Sequence, residues 1–299
     1  MACVLTETRS IGIVESYVRL LRPPNLVTAA ADILAGYAAT GLTISSGLAF
    51  LVIGSMALYA GGIVLNDFFD RSLDALERPE RPIPSGRVHP ANAAVLGFIL
   101  LAAGIGISWT CSVFGGAIAT AIAGCVVFYN AVAKHYKVVG PIFMGTCRGL
   151  NLLLGLSAAP AVLGEKWALA LLPLTYIAAV TMISVGEVKG GNRSTLLVAA
   201  ALVISVLGGI ALLGFDPSFQ WVWALPVVAF LCYRIMPPIW RACRKPVAAN
   251  VRAAVKSGVL SLIVLDAALA AGYAGPLYGA AVLALLIIAA ALAHVFAVT

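Results

Sequence analysis

The chain runs again and again for about 18 residues or more with at most one charge, the length an α-helix needs to cross the ~30 Å hydrocarbon core of a bilayer. Such segments fall near 26–43, 48–66, 91–109, 112–132, 141–162, 167–185, 196–214, 220–237, 257–274 and 277–297. Inside a bilayer no water satisfies a backbone N–H or C=O, so each segment has to bond its own. The expectation is therefore an all-α polytopic membrane bundle of nine or ten transmembrane helices, a single domain over residues 1–299. Composition agrees, with 62% of residues hydrophobic and 10% charged and a mean hydropathy of +1.03. A soluble globular enzyme is excluded.

The cations give an orientation. With the amino terminus in the cytoplasm, one side collects Arg9, Arg19 and Arg22 of segment 1–22, and Arg71, Arg78, Arg81 and Arg87 of loop 66–90. Lys134, Lys137, then Lys189 and Arg193 of loop 186–195, and the basic run from Arg241 to Lys256 join them, while Lys166 stands opposite. This is the positive-inside pattern of a multi-pass cell-membrane protein whose polar loops face the cytoplasm. The net charge of +7 then reads as topology and contact with anionic lipid of the bilayer, not as nucleic-acid binding. Six cysteines without C-x-x-C spacing and three scattered histidines support neither a disulfide framework nor a zinc site.

One polar stretch interrupts the apolar pattern, Asn66 to Gly86, NDFFDRSLDALERPERPIPSG. If the preceding helix continues at about 100° per residue, Asn66, Asp70 and Asp74 form a row on one face, with Asp67 alongside. Hard oxygen donors on one face suit Mg²⁺, which binds one or two carboxylates together with water and phosphate oxygens. The plainer alternative is a solvated acidic loop. A carboxylate row repels itself without a cation, however, and the surrounding arginines sit where an anion would reach them, so a metal-diphosphate is the expected ligand. Pro79, Pro82, Pro84 and Gly86 break the helix into a loop, with Arg81 and Arg87 either phosphate contacts or topology markers.

Further polar residues sit at or within the apolar segments. Asn25 and Asp32 are seven residues apart, roughly 700°, and so share a face. Asp32 is either a functional carboxylate or a buried acid bonded to a neighbouring helix. Arg148 and Asn151 share another face, and an arginine at that depth calls for an anion or a water-filled cavity. Lys134 is a charge for a leaving diphosphate or an interfacial anchor. Asp266 contacts an acceptor or caps a buried polar pair. Pro237-Pro238 is expected to end its helix.

The pattern N-D-x-x-D-x-x-x-D followed by R-P-x-P-S-G stands here as Asn66, Asp67, Asp70, Asp74, Arg81, Pro82, Pro84, Ser85 and Gly86. It resembles the first motif of the UbiA superfamily of intramembrane prenyltransferases, and the RPPN of Arg22 to Asn25 resembles that family's first-helix entry. The resemblance implies transfer of a prenyl group from a prenyl diphosphate to an electron-rich acceptor, with Mg²⁺ held between two acidic motifs. On that reading the metal candidates are Asn66, Asp70, Asp74 and Glu187, and the diphosphate candidates are Arg71, Arg81, Lys134, Arg148, Lys189 and Arg193. Asp67, Asp32, Lys134 and Arg148 are the catalytic candidates, and Asn25, Asp32 and Asn151 the acceptor pocket.

The second motif departs from the family. Where a D-x-x-x-D pattern is expected, the chain reads ISVGEVKGGNRSTL, with Glu187 as its one carboxylate, Asn192 as a weaker oxygen donor, and Lys189 and Arg193 as added cations. Coulomb terms alone weaken a second metal site there. The segments RPPNLVTAAADILAG, RPERPIPSGR and GEVKGGNR are similar to the EboC-like branch of the superfamily, and the expected location is a bacterial plasma membrane. The eroded motif also motivates a second reading, a carrier or scaffold for a polyisoprenoid or pigment intermediate. An ion-coupled transporter built on Asp32 and Asp266 ranks last, because the chain lacks a matched pair of interrupted spans.

Overall fold

The apolar segments fold as helices joined by short connections in a computed structural model that describes residues 12–188 and 190–296. Arg9 and Lys189 lie outside the described residues. In chain order the helices are α1 (Ile13–Leu21), α2 (Pro23–Ala38), α3 (Ser46–Phe69), α4 (Arg71–Glu77), α5 (Pro90–Cys111), α6 (Val113–Ala131) and α7 (Val139–Leu156). Then come α8 (Pro160–Lys166), a 3-10 turn (Trp167–Ala170), α9 (Leu171–Ser184), α10 (Arg193–Leu212), α11 (Trp221–Arg244), α12 (Ala248–Ala274) and α13 (Pro276–Val295). No strand occurs among the described residues. Nine spans are long and apolar enough to cross a membrane, with Pro160–Ser184 counted as one. The tenth expected segment is α2, whose 16 residues reach about 24 Å at 1.5 Å per residue, short of a full hydrocarbon core.

Helix starts follow the local chemistry. Proline occupies the first turn of α2, α5, α8 and α13, where its missing N–H is not needed. Ser112 alone separates α5 from α6 and caps the latter by accepting from Gly115 N at 2.9 Å, which makes a tight helical hairpin. The Pro237-Pro238 expectation fails, because α11 continues through both prolines to Arg244. Pro238 cannot donate to the carbonyl four residues back, and Ser257 Oγ of α12 donates to that Arg234 oxygen instead, at 2.7 Å. A neighbouring helix thus replaces the lost bond and the span continues.

The bundle has an inside. In α12, 78% of the apolar window is buried, against 17% in α13. Around α12 pack α2, α9, α11 and α13, with Leu152 and Leu156 of α7, Tyr176, Ile183 and Leu265 in one apolar core. The α2–α7 crossing is the closest of the contacts that matter for the site. A Cβ on Gly36 would lie 2.1 Å from the Leu152 carbonyl oxygen, and one on Gly155 2.4 Å from that of Ile33. Gly155→Ala is therefore expected to push α2 from α7 and cost about 1–3 kcal/mol. A lowered thermal midpoint in detergent reads this out, and an unchanged midpoint contradicts the crossing.

The two ends of the bundle differ in charge. At one end Lys166 Nζ lies 3.3 Å from Asp216 Oδ2 and donates to Ser218 Oγ at 2.6 Å, while Tyr273 Oη donates to Asp216 Oδ2 at 3.0 Å. Burial pushes the Asp216 carboxyl up, but hydrogen bonds from Ser218 and Tyr273 and the Lys166 charge outweigh it and hold it down at about 2. A depressed carboxyl stabilises the fold above its ordinary range, and that contribution is lost only as pH falls through about 2. The tie therefore holds through neutral and mildly acidic conditions. The opposite end gathers the polar loops and the remaining cations.

Candidate active site

The acidic row keeps its spacing across a helix break. α3 ends at Phe69, Asp70 leaves helical geometry at φ −87° and ψ 1°, and α4 resumes at Arg71. The backbone ladder nevertheless continues, with Asp70 N donating to Asn66 O at 2.9 Å, Asp74 N to Asp70 O and Arg78 N to Asp74 O, both at 2.8 Å. Asn66 Nδ2 donates to Asp70 Oδ2 at 2.8 Å. The chain's own cations answer the carboxylates: Lys134 Nζ lies 2.6 Å from Asp70 Oδ1, Arg81 Nη1 2.7 Å from Asp74 Oδ2 and 3.3 Å from Asp67 Oδ1, and Arg22 Nη2 2.5 Å from Asp67 Oδ1. Among the described residues no three His, Cys, Asp or Glu side chains stand close enough to share a metal ion. The row is assembled, but as ion pairs.

These residues border a cavity of about 520 Å³. Its polar mouth carries Asn66, Asp70, Asp74 and Glu187 beside Arg22, Arg78, Arg81, Lys134 and Arg148. Its apolar wall is Ile63 of α3, Val126 of α6, Met144 of α7, Ile177 and Val180 of α9, and Val255 and Val259 of α12. The loop after α4 folds over the mouth. Ile83 and Val88 anchor it in a small cluster with Leu20, Val64 and Ala93, and the same loop holds Arg81 against the carboxylates. Glu187 is buried with Oε1 unpartnered. Burial pushes its carboxyl up, opposed by the Arg78 and Arg252 charges. An amide, two carboxylates and this orphaned oxygen on one cavity are donors of the kind Mg²⁺ takes.

Behind the cavity wall lies a buried polar layer. Arg148 Nη1 donates to Asp32 Oδ2 at 2.8 Å and Nη2 to Thr28 Oγ1 at 2.6 Å, with the guanidinium 4.2 Å from the Tyr59 ring centroid. Asn151 Nδ2 donates to Asp32 Oδ2 at 2.9 Å and to Ala29 O at 3.0 Å, and Ser55 Oγ donates to Asn151 Oδ1 at 2.7 Å. The buried Asp32 is thus paired, and α2, α3 and α7 are joined through it.

The structure brings some expected residues together and separates others. Asn66, Asp70, Asp74, Glu187, Arg81, Lys134, Arg148 and Asn25 line the cavity. Asp67 does not line it and sits under Arg22 and Arg81, so it positions those cations. Asp32 and Asn151 also stand off the cavity, because Arg148 intervenes. Arg71 is exposed, donating to Phe68 O at 2.8 Å and stacking on the Phe68 ring. Arg193 is exposed at the start of α10 and Asn192 caps that helix, accepting from Ser194 N at 2.9 Å, so neither reaches the site. Arg87 folds onto Ser85 and the Glu80 carbonyl. Sequence reasoning missed the cavity roles of Arg22, Tyr59, Tyr129 and Asn130, while Arg78 lines the cavity where an anion was expected to reach it. Arg22 begins the RPPN segment and is the one described non-glycine residue with positive φ, 47°, a bend that turns its guanidinium back to Asp67.

Over 248 residues the chain is 29% identical to a digeranylgeranylglyceryl phosphate synthase of Natronomonas pharaonis, covering 78% of this chain and 89% of that one. Matches to synthases of the same name from Methanopyrus kandleri and Methanothrix thermoacetophila span 56% and 54% of those relatives. The fold is shared with the structure of a digeranylgeranylglyceryl phosphate synthase in membranes (TM-score 0.67, 22% identity, 88% of this chain and 99% of that one). It is also shared with a UbiA homologue of Archaeoglobus fulgidus bound to GPP and Mg²⁺ (TM-score 0.54, 13% identity, 90% and 99%). The model of the UbiA prenyltransferase family matches residues 26–245, which include the acidic row, Lys134, Arg148 and Glu187, and the chain belongs to that family.

Proposed function

We propose that the protein transfers a prenyl group from a prenyl diphosphate to an acceptor inside the bilayer, with its cation-rich end facing the cytoplasm. The carrying observation is the cavity itself, oxygen donors and cations at the mouth above an apolar wall. A prenyl diphosphate has the same division, a doubly phosphorylated head and a hydrocarbon tail. Asn66, Asp70, Asp74 and Glu187 are the residues that would hold Mg²⁺, and their fit rests on the shared cavity and the orphaned Glu187 oxygen. Bound there, the ion would supply charge compensation for a departing diphosphate.

The chain's own residues supply the rest. Lys134, Arg81 and Arg148 bind phosphate oxygens, and Arg148 is oriented for this by Asp32 and Asn151. Asp67 fixes Arg22 and Arg81. The wall from Ile63 to Val259 takes the tail and keeps water from the allylic carbon. Lys134 and Arg81 neutralise the row in the structure, and a bound metal-diphosphate would offer both the carboxylates and these cations partners of opposite charge.

Purified in detergent and given a labelled prenyl diphosphate, Mg²⁺ and a panel of aromatic, quinone-like, tetrapyrrole and glyceryl phosphate acceptors, the protein is expected to release pyrophosphate and label one class. Activity should stop in EDTA. Prenyl-lipid binding that survives EDTA, with no pyrophosphate from any acceptor, would identify a carrier and sink the enzymatic reading.

A further inference from the structure

Asp266 on α12 takes no part in the site described, yet it is wholly buried. α12 packs against α2, which carries Asp32, and the two carboxyls interact there. The two carboxyls are closed to water, with 0% exposure at each, and Arg148, 4% exposed, stands between them and the cavity. Were both acids ionised, the three groups would hold a net negative charge inside the bundle, and burial of an uncompensated charge is strongly unfavourable. Three acceptor atoms, Asp32 Oδ1 and both Asp266 oxygens, would also have no donor.

The neighbours do not provide one. Tyr176 of α9 donates to Gly258 O, Tyr278 of α13 to Leu34 O, and Arg234 of α11 to Ser261 Oγ. Tyr59 of α3 meets Arg148 through its ring. Asn151 and Arg148 of α7 both donate to Asp32 Oδ2, not to its Oδ1.

We propose that Asp32 and Asp266 hold one proton between them, and that this shared proton fixes Arg148 at the cavity wall. Asp32 is the carboxylate, because its Oδ2 already accepts from Arg148 and Asn151. Asp266 is the acid, donating to the free Asp32 Oδ1. One proton then supplies the missing donor and balances the guanidinium against a single charge. Asp266 is a positioning residue on this account. Its neutrality leaves the wall beside Arg148 without the surplus negative charge that would repel a diphosphate, a role that rests on the prenyl-transfer reading.

Infrared difference spectra of the detergent-solubilised protein against Asp266→Asn, with no substrate added, test the proton directly. The expected result is a protonated-carboxyl C=O band at neutral pH that shifts in ²H₂O and disappears in the variant. The side-chain amide of D266N would present an N–H to Asp32 in place of the acid's O–H, so this variant is expected to keep kcat/KM within about threefold. Asp266→Ala, which leaves Asp32 Oδ1 orphaned, should lose about tenfold or more. No band, or D266N as damaging as D266A, overturns the proposal. Should the band be present while no prenyl transfer is found with any acceptor, the proton stands and the functional reading falls.

Discussion

Asp70→Ala is expected to reduce pyrophosphate release by about 100-fold or more while costing the fold on the order of 1 kcal/mol. The two effects separate because Asp70 has two kinds of partner. Its ion pair with Lys134 is partly open on the Asp70 side, with 21% of that side chain and 10% of Lys134 exposed, so water screens part of what is lost. In the reaction proposed, the same carboxylate is one of four donors to the metal, and its neighbour Asn66 is tied to it at 2.8 Å. Pyrophosphate assays and thermal unfolding on one preparation check both halves. Unchanged turnover in this variant removes Asp70 from the site.

Arg148→Met should act the other way round, on stability and activity together. Arg148 and Asp32 are buried, and removing one partner of such a pair typically costs about 3–5 kcal/mol because the other charge is left unpaired. Adding Asp32→Asn relieves that charge, so the double variant is expected to recover more than half of the lost stability. Activity should return in neither, since the guanidinium at the cavity wall is gone in both. A double-mutant cycle by reversible unfolding in detergent measures the coupling. A single variant as stable as the parent would contradict the ion pair as the joint between α2 and α7.

Much of this was legible in the chain because the signals are local. Each of the ten apolar segments corresponds to a helix, since a segment in lipid has no other way to satisfy its backbone. The row from Asn66 to Asp74 was readable from four-residue spacing, and the backbone bonds preserve it even though Asp70 breaks the helix. What escaped was depth and partnership. Asn25 and Asp32 do share a face, but seven residues place Asp32 about 10 Å farther along the axis. Arg148 fills the space between, so only Asn25 meets the cavity. Arg22 was read as an orientation marker because its partner Asp67 is 45 residues away, and no short-range rule links them. The prolines at 237 and 238 misled for the same reason, the bond that Pro238 cannot make being replaced from α12.

The account depends on oxygen donors of the acidic row engaging a diphosphate through Mg²⁺. Titration calorimetry of the detergent-solubilised protein with a non-reactive prenyl thiodiphosphate measures this without any acceptor. Binding is expected in Mg²⁺, greatly weakened in EDTA, and weakened to a similar degree by Asp74→Asn in Mg²⁺. Equal affinity with and without the metal would contradict the account and leave the arginines and Lys134 as the sole anion receptor.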